Sequence, residues 1–446
     1  MANCASGSAR RSGSSNAATG GYQAGTHFER RIASEIEDAL ASARIVVVTG
    51  ARQVGKTWAV RRVVGPAGTV HYLDDETTRT AALTDPHGFV QSSAGSPVAI
   101  DEIQLGGDAL IRAIKAQADA SDRRGQFLLN GSADFLTVPY ITESLAGRAV
   151  FLTMLPLSQG EIAATGDGLL DRSFEGQDRL LDLGASSLRM ADYLELICRG
   201  GFPEAVMTAS RRARHRWFSG YVSSMATRDI ARIDDIRNAD LIPKLLRILA
   251  ARTAGEYVTT TVARAADCDR RTVERYVSLL EMTGLVHRLP AWSANLTARE
   301  SRRPKIVLCD TGLSAHLMRK DPESLAAVTD PARGPLVETL AVNELRKQSL
   351  LSNRQPDLFH YRDHRGALEA DLVTEAAGQL VAWEVKASLS VSLADARSLS
   401  RMRDRIDQAG PGAFSNGIVL YAGGEPFSLG DRLTALPLSA LWTAPA

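Results

Sequence analysis

The sequence predicts an α/β protein that starts with a doubly wound parallel sheet and continues into a helical middle and a C-terminal α/β domain. Three observations support this fold class. Short apolar runs alternate with helical segments over residues 26–160, a glycine-rich loop joins the first of these runs to a helix, and strand-like alternation returns after residue 357. The 446 residues are 44% apolar and 23% charged, so they predict a folded chain with about two to four domains.

Charge, cysteine spacing and hydropathy exclude several classes of protein. Lys and Arg number 52 against 51 Asp and Glu, so overall charge is no argument for nucleic-acid binding. The four cysteines are far apart, which is typical of a reduced, cytoplasmic protein. No apolar run is long enough for a membrane helix. Residues 1–25 are rich in Ser, Gly and Ala, lack the apolar core of a signal peptide, and are predicted to be a disordered tail.

The first element is a predicted helix over residues 27–42, followed by a buried strand at Ile45–Val48. This strand leads into GARQVGKT, in which a glycine-rich turn can direct backbone N–H groups at phosphate oxygens. Lys56 would neutralise the β- and γ-phosphates of ATP, and Thr57 would bind Mg²⁺. A chance glycine turn is the alternative, but the strand before and the helix after favour a phosphate loop. The candidate nucleotide-binding residues are Gly50, Ala51, Arg52, Gln53, Val54, Gly55, Lys56 and Thr57.

Two further strands end in polar residues. The run 98–100 precedes Asp101 and Glu102, where Asp101 would hold Mg²⁺ and Glu102 would orient or deprotonate the attacking water. The alternative is a pair of solvated carboxylates at a strand end. The run 127–129 precedes Asn130, which we expect to touch the γ-phosphate or the water, with Ser132 as the alternative.

Arg148 precedes the next apolar strand, AVFLTML. It is a candidate arginine finger, acting in its own chain or in a neighbouring subunit of an oligomer. A surface arginine paired with a carboxylate is an equal alternative. Residues 26–160 are therefore predicted to be one ATP-binding α/β domain with Glu102, Asn130 and Arg148 as its candidate catalytic residues.

The ordered motifs GARQVGKT, AIDEIQ, LNGSADF and ESLAGRAVFLTMLPLSQGE resemble a group of prokaryotic AAA-superfamily P-loop ATPases with a C-terminal domain of unknown function, number 4143. GGFPE, TRDI, DTGL and WEVK continue the resemblance over nearly the whole chain after the tail. The resemblance implies a P-loop NTPase module, a winged-helix middle and a restriction-endonuclease-like C-terminal domain. It implies no settled biological role.

The middle of the chain is predicted as a helical region at 161–240, with an irregular loop insertion at 165–190, and a winged-helix-like module at 241–295. In the module, apolar residues at helical spacing follow a turn at residues 268–269, and Gly284 is placed to end the second helix. Arg270, Arg271 and Arg275 lie on or near that helix and are candidate DNA contacts. The alternative is a module used for packing or for a protein partner.

Residues 296–446 are predicted to form the nuclease-like domain, opening with an amphipathic helix at 335–345. Glu384 and Lys386 lie two apart on one strand face, and Asp371 precedes a turn that returns the chain past it. With Glu338, these residues resemble a PD-(D/E)xK site that shares Mg²⁺. Alanine, not proline, precedes Asp371, and a retained fold without cutting activity is the alternative.

Three functions follow from these patterns. The first is a Mg²⁺-dependent ATPase coupled to its C-terminal domains. The second is a DNA nuclease whose access ATP controls, and the third is a non-hydrolysing nucleotide switch that binds a protein partner. Glu102 separates the first from the third, because a switch needs no carboxylate to orient water.

Overall fold

The computed structural model describes residues 28–444 apart from 67, 94–96, 132–144, 146, 226–239, 296, 298, 300–301, 364–367 and 411. The predicted tail at 1–25, the alternative residue Ser132 and the TRDI motif lie outside the described residues. Within the described part, no helix is both long and apolar enough to cross a membrane.

The N-terminal part is a five-stranded parallel sheet with the strand order β2-β3-β4-β1-β5. Its elements are α1 Ile32–Ser42, β1 Ile45–Gly50, α2 Lys56–Val64, β2 Val70–Tyr72, α3 Glu76–Thr84, α4 Pro86–Ser92, β3 Val98–Asp101, a 3₁₀ helix Ile103–Gly106, α5 Gly107–Asp119, β4 Phe127–Asn130, β5 Ala149–Met154 and α6 Gln159–Ala163. The predicted parallel sheet and its strands are confirmed. Because β4 lies between β1 and β3, the loops after these three strands meet at one edge of the sheet.

Both faces of this sheet are buried, which explains the unbroken apolar runs of its strands. Ile45 and Val47 pack with α3, α4 and α5, whereas Val46 and Val48 pack with α1, α2 and the helices of the middle region. The second of these cores continues to residue 317, so the sheet and the middle region share one hydrophobic core.

The middle region is helical and ends in a three-stranded sheet of order β6-β8-β7. Its elements are α7 Leu169–Arg172, α8 Gln177–Leu181, α9 Met190–Arg199, α10 Pro203–Met207, α11 Arg211–Ser224, α12 Leu241–Ala250, β6 Gly255–Glu256, α13 Thr259–Ala266, α14 Arg270–Met282, β7 Val286–Leu289 and β8 Lys305–Leu308. We call residues 241–308 the middle module. Its last strand lies beyond residue 295, where the predicted module stops. Strand β8 pairs with β7 although residues 290–304 separate the two in sequence, so local sequence does not indicate the pairing.

Two sequence expectations for packing are corrected. The segment 165–190, expected to be an irregular loop, contains α7 and α8, whose leucines Leu169, Leu170 and Leu180 are buried in the C-terminal core. The helix expected at 335–345 extends over Arg333–Ser349 and is buried on most of its surface rather than along one face. It lies between the C-terminal sheet and the middle region, so both sides meet protein.

The C-terminal part is a mixed six-stranded sheet of order β13-β14-β12-β11-β10-β9. Its elements are α15 Thr311–Leu317, α16 Pro322–Leu325, α17 Arg333–Ser349, β9 Asp357–Arg362, β10 Glu369–Ala376, β11 Gln379–Lys386, α18 Arg397–Ala409, β12 Phe414–Tyr421, β13 Phe427–Gly430, β14 Leu433–Pro437 and α19 Ala440–Thr443. The predicted hairpin around residues 376–378 is confirmed as the antiparallel pair β10–β11. Helix α17 covers one face of this sheet and α18 covers the other.

Candidate functional site

The phosphate loop, residues 50–57, connects β1 to α2. Gly50 has a φ of 146°, and a Cβ on it would lie 2.2 Å from the carbonyl oxygen of Met154. Gly55 has a φ of 99° at the N-terminus of α2. Because both positions combine a positive φ with their place in the turn, the glycines of the motif are required by backbone geometry.

Lys56 is folded into the loop that carries it. Its side chain is 8% exposed, and Nζ donates hydrogen bonds to the carbonyls of Gly50 at 3.1 Å and Ala51 at 3.0 Å. The ammonium therefore lies within the loop and is bound there by neutral oxygen atoms.

Arg30 supports the phosphate loop from outside and was missed by sequence reasoning. Its guanidinium donates to the carbonyl of Val54 and, at 2.7 Å, to that of Leu155, and Nε pairs with Glu161 at 3.1 Å. Arg30 thus ties the loop to the segment after β5. Its only sequence signal is a pair of arginines just before an apolar helix, which is too common to be diagnostic.

Thr57, Asp101 and Asn130 meet at the ends of α2, β3 and β4. Thr57 Oγ1 donates to Asp101 Oδ2 at 2.7 Å, and Asn130 Nδ2 donates to Asp101 Oδ1. Asn130 Oδ1 is buried and accepts no hydrogen bond from the described residues. Burial, with a smaller contribution from Glu102, raises the pKa of Asp101, which the Thr57 hydrogen bond opposes. A cation beside these oxygen atoms would relieve the cost of the buried carboxylate.

Glu102 follows Asp101 in a left-handed conformation with a φ of 54°. Its backbone N–H donates to Asp101 Oδ1 at 3.0 Å, and its half-buried carboxylate accepts a hydrogen bond from Gln104 Nε2. The turn of the backbone separates the two carboxylates, so Asp101 faces Thr57 while Glu102 is held by Gln104. A non-glycine residue in this region of φ is uncommon and is often found at functional sites.

Arg148 lies far from the phosphate loop of its own chain. It directly precedes β5, and its carbonyl accepts a hydrogen bond from Ile45 at the start of β1, whereas the loop follows the end of β1. Its Nε donates to Asp119 at 2.6 Å. The expected arginine finger within one chain is therefore corrected to a surface ion pair at the opposite edge of the sheet. A role in a neighbouring subunit stays a prediction.

An apolar cavity of about 170 Å³ lies beside Gly55. Its wall includes Phe28, Trp58, Pro203 and Met207. Pro203 belongs to the GGFPE motif, which thus lies next to the phosphate loop. Aromatic and apolar walls next to a phosphate site suit the flat face of a nucleotide base.

The middle module exposes the three arginines that were predicted to contact DNA. Arg270, Arg271 and Arg275 are exposed at the start of α14, whose apolar face is buried as predicted. The residues that follow β7 are hydrogen-bonded to strand β9. The N–H of His360 donates to the carbonyl of Pro290 at 2.9 Å, and the N–H of Trp292 donates to the carbonyl of His360 at 2.7 Å. The module is therefore joined to the edge strand β9 of the C-terminal sheet, while α14 remains open to solvent.

The residues predicted for a nuclease site come together in the C-terminal domain. The pairing of Leu372 with Trp383 puts Asp371 and Glu384 at the next position of the β10–β11 hairpin, and Asp371 Oδ2 accepts the N–H of Val385 at 2.9 Å. Lys386 Nζ pairs with Glu384 at 2.6 Å. Burial and then Asp371 raise the pKa of Glu384 to about 7.

Lys305 of β8 also enters this group and was missed by sequence reasoning. Its Nζ lies 2.6 Å from Glu338, 3.4 Å from Asp371 and 3.9 Å from Glu369. We call Glu338, Glu369, Asp371 and Glu384 the acidic cluster. No three acidic, His or Cys side chains among the described residues have an arrangement that could hold a metal ion. The available signal was a lysine at the head of the apolar run KIVL.

The DTGL motif has a structural role at the junction of the domains. Asp310 is buried, and its carboxylate accepts the N–H of Gly201 at 2.6 Å and that of Leu313 at 2.8 Å. A Cβ on Gly312 would lie 2.8 Å from the backbone of Arg199 and Gly200. The motif thus fixes α15 against GGFPE and, through it, against the nucleotide side of the chain.

Comparisons with known proteins agree with the motifs. Residues 42–163 match an AAA domain, residues 190–324 a domain of unknown function (DUF8612), and residues 333–441 a domain of unknown function (DUF4143). Uncharacterized proteins of Mycobacterium tuberculosis and Mycobacterium bovis are each 29% identical over 418 residues, which cover 93% of this chain and 85% of theirs. A Walker-type ATPase structure from Pyrococcus abyssi has a TM-score of 0.39 and 13% identity, covering 65% of this chain and 96% of that one. The resemblance seen in the sequence is confirmed: an N-terminal AAA P-loop domain precedes a DUF4143 domain.

Proposed function

We propose that this AAA-domain protein is a Mg²⁺-dependent ATPase. The observation that carries the proposal is the meeting of Lys56, Thr57, Asp101, Glu102 and Asn130 at one edge of the parallel sheet. Thr57 and Asp101 would hold Mg²⁺, which would neutralise phosphate charge when bound. Lys56 binds the phosphates, Asn130 presents a buried oxygen, and Glu102 takes a proton from water or orients it.

Phosphate release from ATP by the purified full chain tests this function. The wild type is expected to turn over ATP, and Lys56→Ala is expected to reduce turnover because the phosphates lose their cation. Lys115→Ala, on α5 of the same domain, is the matched control and should keep wild-type turnover. A wild type that binds ATP without releasing phosphate would favour the nucleotide-switch alternative.

DNA is a second candidate partner, because Arg270, Arg271 and Arg275 leave a charged, exposed helix start. Such binding would be mainly electrostatic, so the affinity should fall steeply with salt. Replacing all three by Ala should reduce the slope of log affinity against log salt by about 3, roughly one for each lost phosphate contact. An interaction that does not depend on salt, or none at all, would favour a protein partner for the module.

The ATP-controlled DNA nuclease remains the alternative function for the C-terminal domain. It requires a divalent ion among Glu338, Asp371 and Glu384. The position beside two of these carboxylates is taken by Lys305. Cutting would therefore require Lys305 to leave, and this requirement is independent of whether the AAA domain hydrolyses ATP.

A further inference from the structure

Lys305 is a buried charge. Its side chain is 4% exposed, and it projects from β8, a strand of the middle module, into the acidic cluster of the C-terminal domain. A buried ammonium is tolerated only where carboxylates compensate for its lost hydration. Burial lowers the pKa of Lys305, but Glu338 and Asp371 outweigh this effect, so the pKa is raised overall. The side chain is therefore a fixed cation.

The backbone around Asp371 is shaped for this contact. The register between β10 and β9 shifts between Ala370 and Val373, which makes a bulge at Asp371. Bulges redirect side chains and are frequent beside functional sites. One oxygen of Asp371 is used by the N–H of Val385, and the other lies 3.4 Å from Lys305 Nζ.

The carboxylates of this site already have cations beside them without a metal. Lys305 Nζ lies near Glu338, Glu369 and Asp371, and Lys386 pairs with Glu384, so each member of the acidic cluster has an ammonium group nearby. A divalent cation added to this set would have to share the carboxylates with an ammonium 2.6 Å from Glu338. Repulsion between the two cations opposes this arrangement.

We propose that Lys305 is the resident cation of the acidic cluster. It prevents divalent ions from binding there, and its ion pairs hold the middle module against the C-terminal domain. These ion pairs act together with the hydrogen bonds that join Pro290 and Trp292 to His360 of β9. The C-terminal domain is thus held without a metal while the module sits on it, and a cation can enter only when Lys305 withdraws.

The test compares Mn²⁺ binding by calorimetry in full-length chains without nucleotide. All carry Asp101→Asn, which removes the carboxylate that accepts the hydrogen bond of Thr57 beside the phosphate loop. The parent is expected to show no site up to about 1 mM Mn²⁺, a range in which weak carboxylate sites bind. Lys305→Met keeps the length of the side chain and should create one Mn²⁺ site that binds at least tenfold more tightly than the upper limit of about 1 mM tested for the parent. Adding Glu338→Gln should remove this site. Lys320→Met, which removes an ion pair outside the cluster, is the control and should behave as the parent.

Two results would overturn the proposal: equal Mn²⁺ binding by the parent and Lys305→Met, or no binding by a folded Lys305→Met. If Lys305→Met does not fold, Lys305→Met with Glu338→Gln removes both partners of the Glu338–Lys305 pair, so that no buried carboxyl group at residue 338 is left without its partner. The contact of Lys305 with the C-terminal domain is still lost in this variant. Amide hydrogen exchange at Trp292 and His360 should therefore become at least tenfold faster, whereas the exchange rates in β12 and β14 should not change. Unchanged exchange at Trp292 and His360 would show that Lys305 does not hold the middle module against the C-terminal domain.

Discussion

The phosphate loop and the acidic cluster use the same residue types in opposite ways. At the phosphate loop, Lys56 is bound by backbone carbonyls and Asp101 by the neutral groups of Thr57 and Asn130. In the acidic cluster, Lys305 is paired directly with carboxylates.

The difference shows what makes a polar cluster receptive to a ligand. Charges held by neutral groups keep their unbalanced field and attract a charged ligand of opposite sign. Charges that neutralise one another leave little net attraction, and separating them costs desolvation free energy. Residue identity therefore predicts a site less well than the partner of each charge does.

The largest expected effect is at Glu102, the carboxylate proposed to orient the attacking water. Glu102→Gln should keep ATP binding but slow turnover by about 10²- to 10⁴-fold, the usual contribution of a general base. Steady-state phosphate release at saturating ATP measures the effect. Glu76→Gln, on exposed α3, should leave turnover unchanged. Equal turnover by Glu102→Gln and wild type would remove Glu102 from the reaction.

Removing the ammonium from the acidic cluster should cost stability. Lys305→Met leaves buried carboxylates without their cation, and breaking a buried pair in this way costs about 3–5 kcal/mol. Chemical denaturation followed by tryptophan fluorescence measures the loss. Lys320→Met removes a partly exposed pair with Asp330 and should cost less than about 1 kcal/mol. Similar losses in both variants would show that Lys305 is an ordinary ion pair.

The corresponding change at the phosphate loop should affect binding more than folding. Lys56→Ala removes the cation that faces the phosphates, and ATP affinity should fall more than tenfold, or about 1.4 kcal/mol. Loss of Lys56 removes hydrogen bonds to the carbonyls of Gly50 and Ala51, whereas loss of Lys305 removes the ammonium beside the buried Glu338 carboxylate. Calorimetry with ATP checks the first effect, and unchanged affinity would reject the phosphate-loop assignment.

The acidic cluster should also give the folded protein a pH-dependent stability. Burial, and then Asp371, raise the pKa of Glu338 to about 8 from a usual value of 4.5. The folded protein therefore holds this proton more tightly than the unfolded chain does. Stability that is fully present below about pH 4.5 should be lost as the pH rises through about 8. The titratable groups that act on Glu338 are Asp371, Lys305 and Glu369.

Thermal unfolding between pH 5 and pH 8 measures this loss. The wild type should unfold at lower temperature at pH 8 than at pH 5, by about 2–4 °C for each kcal/mol. Glu338→Gln should flatten the profile, whereas Glu76→Gln should not. A wild-type profile that rises over this range would mean that Glu338 is ionised throughout.

Sequence reasoning found the phosphate-loop side because its residues lie at the end of a strand or in the loop that follows one. The carboxyl ends of neighbouring parallel strands meet at one edge, so local signals sufficed to bring Lys56, Asp101 and Asn130 together. The hairpin that carries Asp371 and Glu384 was likewise local.

Lys305 could not be placed in this way. It is 33 residues from Glu338 and 66 from Asp371 in sequence. Its strand pairs with β7 although residues 290–304 separate the two strands in sequence. Arg30 was missed for the same reason, because its partner Glu161 is 131 residues away in sequence. Long-range pairing by single charged side chains leaves no periodic trace in a sequence.

The hairpin β7–β8 has a mechanical consequence for both sites. A Cβ on Gly284, just before β7, would lie 3.2 Å from the backbone nitrogen of Ala51 in the phosphate loop, and Leu289 at the far end of β7 pairs with Lys305. A strand of this length spans about 13 Å, so a tilt of about 5° around its near end moves Lys305 by roughly 1 Å. If the hairpin moves as one rigid lever, occupancy of either site shifts the affinity of the other by the same factor. The ratio of the Mn²⁺ affinities of the acidic cluster in Lys305→Met, measured with and without ATP, gives that factor.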